Sequence, residues 1–478
     1  MEVTFDIKDL LAAPAGTRSL YFIGIGGIGM SALARYFHSK GVAVSGYDKT
    51  ETALTKQLVA EGMDVHYHED VDRIPKEVDA VVYTPAVPKD HAELVYYQAG
   101  DYTVLKRSDI LGAITRDSFN ICVGGTHGKT TVSCMIAHIL RHTGFGCNAF
   151  LGGIATNYNT NFWSSNNNVA VIEADEYDKS FLKLSPDVAV ITAMDADHLD
   201  IYGTEEEMQK AFIAFGNKVK EGGLLLTRFG LKRAREINVS NKWVYSTGND
   251  AADAYATNIK IAEGGYRFDV ALPGAIISGF ELKIGGMHNV ENAVVAIAIA
   301  HYLELDAEKI KAAIADFKGV KRRFEYIIPL QEKTAGAYTY PVMIDDYAHH
   351  PEELRALLKS VRALFPQRKI TVIFQPHLYS RTKDFAKAFS DSLDIADAIL
   401  LLPIYPAREL PMEGVSSELI LKGIEGGKAK IIEKDALLQY MQDYVKDIDK
   451  EFGEVIVTAG AGDIDALVQP LKKIIENA

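Results

Sequence analysis

The chain has little with which to hold nucleic acid, span a membrane or form disulfides. Its 478 residues carry 64 Asp and Glu against 51 Lys and Arg, a formal net charge of −13. That balance excludes a nucleic acid or an anionic membrane surface as the main partner. It leaves room for small anionic ligands, which need only a local positive site. The longest apolar run, Ala293 to Ala300, falls far short of the roughly 18 residues a membrane span requires. Cys122, Cys134 and Cys147 are the three cysteines and show neither CxxC nor metal-ligand spacing, so they read as reduced thiols. The start, MEVTFDIKDL, has no basic stretch followed by an apolar core, so no export signal is expected. Internal repeats, low-complexity tracts and long linkers are missing too. A cytoplasmic protein without membrane insertion is the expectation.

What is present suits a soluble protein of several domains. Hydrophobic residues make up 48% of the chain and mean hydropathy is −0.01. The length is too great for one core and suggests roughly three domains. "SLYFIGI", "VAVSGYD" and "AVVYTPAVP" read as strands, with a helix opening at "GIGMSALARYFHSK". A second block repeats the rhythm with "NICVGGT", "NVAVIEAD" and "PDVAVITAMDAD". It then shows β-branched and aromatic alternation around a Gly-Gly turn, which predicts antiparallel strands. A third block after "GVKRRFEY" alternates "PVMIDDYAHH", "KITVIFQP", "AILLLPIYP" and "EVIVTAGAGD" with amphipathic helices. The pattern predicts α/β architecture over residues 1–113, 114–322 and 323–478. In such sheets ligands sit beyond the carboxyl ends of the strands.

The motifs fall at those ends. Gly24-Ile25-Gly26-Gly27-Ile28-Gly29, with Asp48 closing the next strand, matches the G-x-G-x-x-G pattern of a diphosphate cradle on a helix N-terminus. Read alone, it fits a nicotinamide or flavin dinucleotide, another nucleotide diphosphate, or tight packing. Gly124 to Thr131 resembles a phosphate loop with its first glycine misplaced, since the strict pattern needs glycine where Val123 stands. Lys129 can still reach terminal phosphates, and Thr130 can contact Mg²⁺. "VIEADEYD" and "MDADHLD" follow the next strands, and Glu173, directly ending one, is the strongest metal candidate among their acids. His198 reads as readily as a structural histidine as a ligand. His288, Asn289 and Asn292 open a helix, where the amides suit a base edge or Asn289 a helix cap. Arg323 can neutralise charge in phosphoryl transfer. His349, His377 and Arg381 begin the loops of the third block, and Arg suits a carboxylate.

The set GIGGIGMSALA, GGTHGKTT, EADEYDKSFL, DADHLDIYG, GMHNVENA, KRRFE, DDYAHHPEE, FQPHLYSRT and GAGD, in this order, resembles the Mur ligases along essentially the whole chain. The resemblance implies an N-terminal Rossmann-like domain for UDP, a central P-loop ATPase-type α/β domain with antiparallel strands, and a C-terminal Rossmann-like domain for an amino acid. It implies ligation of L-alanine to the lactyl carboxylate of UDP-N-acetylmuramate, driven by ATP with two Mg²⁺ ions, which Mn²⁺ can replace. Gly24, Gly26, Gly27, Gly29, Met30, Ser31, Asp48, Thr84, Arg107 and His127 are then expected at the UDP-sugar. Gly125, Thr126, Gly128, Lys129, Thr130, Thr131, His288, Asn289, Asn292, Arg323 and Asp346 are expected at ATP. Thr130, Glu173 and His198 would hold metal; Lys129, Arg323 and His198 would be catalytic; His349, His377 and Arg381 would hold the amino acid. A monomer or homodimer is implied.

Two departures mark this chain. Phe212 stands where several Mur ligases carry a carbamylated lysine, so no such modification is expected. Tyr177 in EADEYD also occurs in ligases that recycle a tripeptide onto the same nucleotide, which remains the alternative reading. A nicotinamide-dependent dehydrogenase or a P-loop ATPase switch are alternatives of other classes.

Overall fold

The computed structural model describes residues 7–195, 199–262, 264–331, 333, 334, 336, 338, 340–407 and 409–477. They form two compact units: Met1–Ala256 with Val270–Ile276 and Glu291–Ala313, and Thr257–Asp269 with Ile277–Val290 and Ile314–Ala478.

The first unit holds a five-stranded sheet of β1 (Ser19–Ile23), β2 (Ala43–Tyr47), β3 (Asp64–His66), β4 (Ala80–Tyr83) and β5 (Val104–Lys106), ordered β3-β2-β1-β4-β5. Every pairing is parallel. The order reverses between β1 and β4, which opens a crevice at their carboxyl ends. Gly24 and Thr84, the residues just past those two ends, meet there: a methyl on Gly24 would lie 2.9 Å from Thr84 Cγ2.

The second sheet of this unit runs through β6 (Phe119–Gly124), β7 (Asn148–Ala155), β8 (Thr160–Trp163), β9 (Val169–Glu173), β10 (Val188–Ile191), β11 (Leu224–Arg228) and β12 (Lys242–Ser246). Their order is β12-β11-β10-β6-β9-β7-β8, parallel except for the β7–β8 pair. β6, the strand before the phosphate loop, lies between β9 and β10, so Glu173 at the end of β9 comes beside the loop. The expected antiparallel strands follow as β13 (Ala254–Ala262), β14 (Gly265–Leu272) and β15 (Ala275–Leu282), neighbours in this order. Connections of two residues between them permit only antiparallel pairing.

The two sheets of the first unit share a core. The helix Ile28–Ser39 buries Met30, Leu33 and Phe37, and Tyr36 packs on Phe150 and Phe162 of β7 and β8 with centroids 5.3 and 6.1 Å apart. Arg35, also on this helix, pairs with Glu61 at 2.8 Å and donates to Asn161 Oδ1 at 2.6 Å. Asn161 in turn donates to Ile28 O at 2.5 Å and Ser31 Oγ at 3.0 Å, clamping the first turn of this helix.

The second unit is built on β16 (Glu325–Ile328), β17 (Val342–Asp346), β18 (Lys369–Phe374), β19 (Ala398–Leu401), β20 (Ala429–Ile431) and β21 (Glu454–Ala459), ordered β16-β17-β21-β18-β19-β20. Only β16–β17 is antiparallel. Its helix Pro351–Leu364 shows why these segments fold as read. Proline sits at the first helical position, Glu353 accepts from the N–H groups of His349 and His350, and Leu354, Leu357, Leu358, Val361 and Leu364 form one buried stripe. Among the described residues no helix is long and apolar enough to cross a membrane.

Candidate functional site

The glycine-rich loop after β1 is braced by Asp48. One carboxylate oxygen accepts from Gly26 N–H at 2.8 Å and the other from Thr50 N–H at 3.1 Å. Gly27 caps the helix that starts at Ile28, and a methyl on Gly29 would come 2.5 Å from Arg107 Nη1. Arg107 therefore lies over the helix N-terminus, where Asp175 pairs with it at 3.0 Å. Gly24, Gly26, Gly29, Asp48, Thr84 and Arg107 are brought together. Met30 and Ser31 turn their side chains into the core: Met30 is 2% exposed, and Ser31 Oγ donates to Ile28 O at 3.0 Å.

The phosphate loop is folded as a nest. Gly125 passes against Thr192 and Ala193 with φ +136°, leaving no room for a side chain, and Gly128 caps the helix Lys129–His142 in the left-handed region at φ +81°. Thr192 Oγ1 donates to His127 O, and Thr126 Oγ accepts from Asp195 N–H at 3.2 Å, tying the loop to the end of β10. Lys129 bends back across the loop and donates to Gly125 O at 2.6 Å and Glu176 Oε1 at 2.7 Å. Thr130 donates to Glu173 Oε1 at 3.0 Å, while Thr131 is half-buried in the first helical turn. Asn292 Oδ1 lies 3.3 Å from where a methyl on Gly128 would be. His127 is exposed, with Nε2 3.9 Å from Asp195 Oδ2. His198 lies outside the described residues.

Glu173 is held by two donors, Thr130 Oγ1 and the N–H of Gly152 at 3.0 Å. Burial pushes its carboxyl above the ordinary range, against the opposing pull of Lys129 and those hydrogen bonds. A charged carboxylate in that setting wants a cation, and a hydroxyl beside a carboxylate is a hard oxygen pair of the kind Mg²⁺ takes. The residues fit the metal. Gly152 matters because a methyl there would overlap the Glu173 carboxylate. Gly152→Ala is expected to raise the Mg²⁺ concentration for half-maximal rate about tenfold, as second-sphere changes do. Metal titration of the rate, with Mn²⁺ binding followed by electron paramagnetic resonance, checks this.

A cleft of about 600 Å³, its open mouth included, runs from the first turn of the helix after the glycine-rich loop to Glu173. Gly29 and Arg107 line one end, Gly152, Glu173 and Asp175 the other.

The second unit gathers another cluster. Asp346, ending β17, accepts from the N–H groups of Phe324 at 2.7 Å and Ala348 at 2.8 Å, and burial pushes its carboxyl up to about 6. Arg323 acts electrostatically on Asp346, His288 and His349. It lies between two non-glycine residues in the left-handed region, Arg322 at φ +60° and Phe324 at φ +47°, a strained backbone of the kind found at working sites. His288 is held below the usual histidine range by burial and by Arg323. Asn289 turns its amide to Gly285 O at 2.6 Å.

His349 and His377 stack edge to face 5.9 Å apart, and Arg381 Nη1 reaches His349 O at 3.5 Å. Burial lowers both imidazoles, so they are neutral at pH 7 and Arg381 is the cation of this trio. If it grips a carboxylate, Arg381→Lys is expected to raise the KM of the carboxylate substrate it holds roughly tenfold and leave the KM of any other substrate within about twofold. Steady-state kinetics with each substrate varied in turn tests that.

Sequence reading left three contributors unassigned. Glu176 passes as one more loop acid, and only the fold shows it buried against Lys129. Asp175 and Gly152 act through partners 68 and 21 residues away, which local patterns do not encode.

The comparisons agree along the chain. Residues 19–119 match the profile "Mur ligase family, catalytic domain", residues 123–300 "Mur ligase middle domain", and residues 322–462 "Mur ligase, glutamate ligase domain". A UDP-N-acetylmuramate–L-alanine ligase of Porphyromonas gingivalis is 45% identical, covering 96% of this chain and 99% of that one. Its counterpart in Cytophaga hutchinsonii is 44% identical over 96% and 97%. Among solved structures, the UDP-N-acetylmuramate–alanine ligase of Thermotoga maritima superposes with a TM-score of 0.76 at 28% identity, covering 96% and 98%.

Proposed function

The chain belongs to the Mur ligase family, and from that premise we propose that it joins L-alanine to the lactyl carboxylate of UDP-N-acetylmuramate with ATP as phosphoryl donor. The observation that carries this reading is the cleft between the glycine-rich loop and Glu173. A nucleotide diphosphate on the first loop would direct its sugar acid toward the phosphate loop. A nicotinamide dehydrogenase has no use for the second loop, and a free-standing ATPase switch has none for the first.

In the first step a lactyl carboxylate oxygen attacks the γ-phosphorus, the bond to ADP breaks, and an acyl phosphate forms. In the second the amine of L-alanine attacks the acyl carbon, loses a proton, and expels inorganic phosphate. The first step sets one anion against another, so positioned cations do most of the work. Lys129 lies on the phosphate loop for the β- and γ-phosphates. Arg323 is the candidate to neutralise the transferring group. Thr130 and Glu173 would hold a Mg²⁺ ion, with His198 proposed for a second; bound there, the metal supplies charge neutralisation and Lewis acidity. Asp48, Arg107 and the loop N–H groups orient the sugar nucleotide, Asn289, Asn292 and Asp346 the nucleoside of ATP, and His349, His377 and Arg381 the alanine.

Product mass spectrometry with a panel of amino acids and peptides tests the assignment. Phosphate release and a product heavier by one alanyl residue should require UDP-N-acetylmuramate, ATP, Mg²⁺ and L-alanine together. Product from a tripeptide and none from L-alanine would transfer the assignment to the recycling reaction.

A further inference from the structure

Glu176 belongs to none of the roles above, yet it is among the most buried acids of the first unit. Its side chain is 2% exposed and its Oε1 lies 2.7 Å from Lys129 Nζ, itself 15% exposed. The other oxygen, Oε2, is buried with no hydrogen-bond partner among the described residues. Lys129 is thus the only cation the structure pairs with this carboxylate among the described residues.

The backbone around Glu176 is fixed. Its carbonyl accepts from Tyr202 Oη at 2.6 Å and from Lys179 N–H at 2.9 Å. The turn that follows puts Asp178 at φ +51° and Lys179 at φ +62°, a costly conformation that the surrounding bonds hold in place. With its backbone so held and its side chain 2% exposed, Glu176 keeps its carboxylate out of water.

On the reading that this loop binds ATP, two outcomes are conceivable when the nucleotide arrives. Lys129 can leave Glu176 for the phosphates, or keep it and serve both. Leaving would strand a buried, fixed carboxylate without compensation, which is the expensive way to break a buried pair. Keeping leaves the pair intact. An ammonium has three N–H donors, and Glu176 and Gly125 O take two, so one remains for phosphate. We propose that Glu176 is a positioning residue: it stays paired with Lys129 through the reaction and fixes the ammonium above the loop with its third donor aimed at the transferring group.

The test uses Glu176→Gln, Lys129→Ala and the double variant in the full-length chain. Glu176→Gln is expected to lower kcat at least about 30-fold and to weaken binding of the ATP analogue adenylyl imidodiphosphate with Mg²⁺ several-fold. The KM values for UDP-N-acetylmuramate and L-alanine should stay within about twofold, a split that general loosening of the fold would not give. Lys129→Ala strands the carboxylate and should melt roughly 5 °C below the parent, and adding Glu176→Gln should recover at least half of that loss. Tighter binding of the analogue by Glu176→Gln would overturn the proposal, because Glu176 would then be a competitor that Lys129 must abandon. A double variant melting as low as Lys129→Ala would overturn it as well. Should Glu176→Gln not fold, Glu176→Asp keeps the charge and shortens the reach, and an unchanged kcat in that variant would overturn the proposal. Failure of the parent protein to bind the analogue at all would strike the ligase reading instead.

Discussion

Lys129→Ala is expected to cut kcat by at least about three orders of magnitude, equivalent to roughly 4 kcal/mol of transition-state stabilisation. The reason is the charge arithmetic of the first step. A carboxylate approaches a triphosphate, and the transferring group must shed its repulsion into fixed positive charge. Lys129 is placed for that before any substrate arrives, since its ammonium is already bonded to Gly125 O and Glu176. Preorganisation of this kind is worth most where water is excluded. Pre-steady-state measurement of ADP formation, with UDP-N-acetylmuramate and ATP saturating, isolates the affected step. A loss below tenfold would mean that Lys129 serves only to bind nucleotide.

Arg323→Ala is expected to be nearly as damaging, with kcat lower by about 10³-fold. Its effect should differ in kind. Arg323 sits in the second unit, on a strained turn anchored by the bond from Phe324 N–H to Asp346. A residue held at such conformational cost is suited to a demand made at the transition state. The variant should therefore bind ATP analogue nearly as the parent does and fail in single-turnover phosphoryl transfer. Equal losses in analogue binding and turnover would assign Arg323 to ground-state binding alone.

Much of this was legible in the order of residues. The strands that precede the two loops are apolar runs leading into glycine-rich turns, and the helices after them begin at Ile28 and Lys129. The parallel sheets follow from that alternation. Strands β3 and β5 were not legible, because three residues carry no period and their pairing partners are distant in sequence. β7 and β8 were not legible for a related reason: "LGGIATNYNTNFW" mixes glycine and asparagine among its apolar residues, yet Phe150 and Phe162 pack on Tyr36 from the first sheet's helix.

At the site, residues on a loop motif could be named from spacing, while those acting across the fold could not. Gly152 and Glu176 are the clearest cases. Met30 and Ser31 teach the opposite lesson: they adjoin the glycine motif, but helical geometry rotates their side chains toward the core and Asn161. The expected absence of a modified lysine rests on Phe212, which the fold uses as core, edge to face with Phe181 at 5.2 Å.

The acyl phosphate is the centre of the account, and oxygen tracing addresses it most directly. UDP-N-acetylmuramate labelled with ¹⁸O in its lactyl carboxylate should be turned over with ATP, Mg²⁺ and L-alanine, and the released phosphate analysed by mass. Attack of the carboxylate on the γ-phosphorus, followed by cleavage between acyl carbon and oxygen, carries one labelled oxygen into each phosphate. Phosphate free of label, formed alongside the alanyl product, would contradict the account.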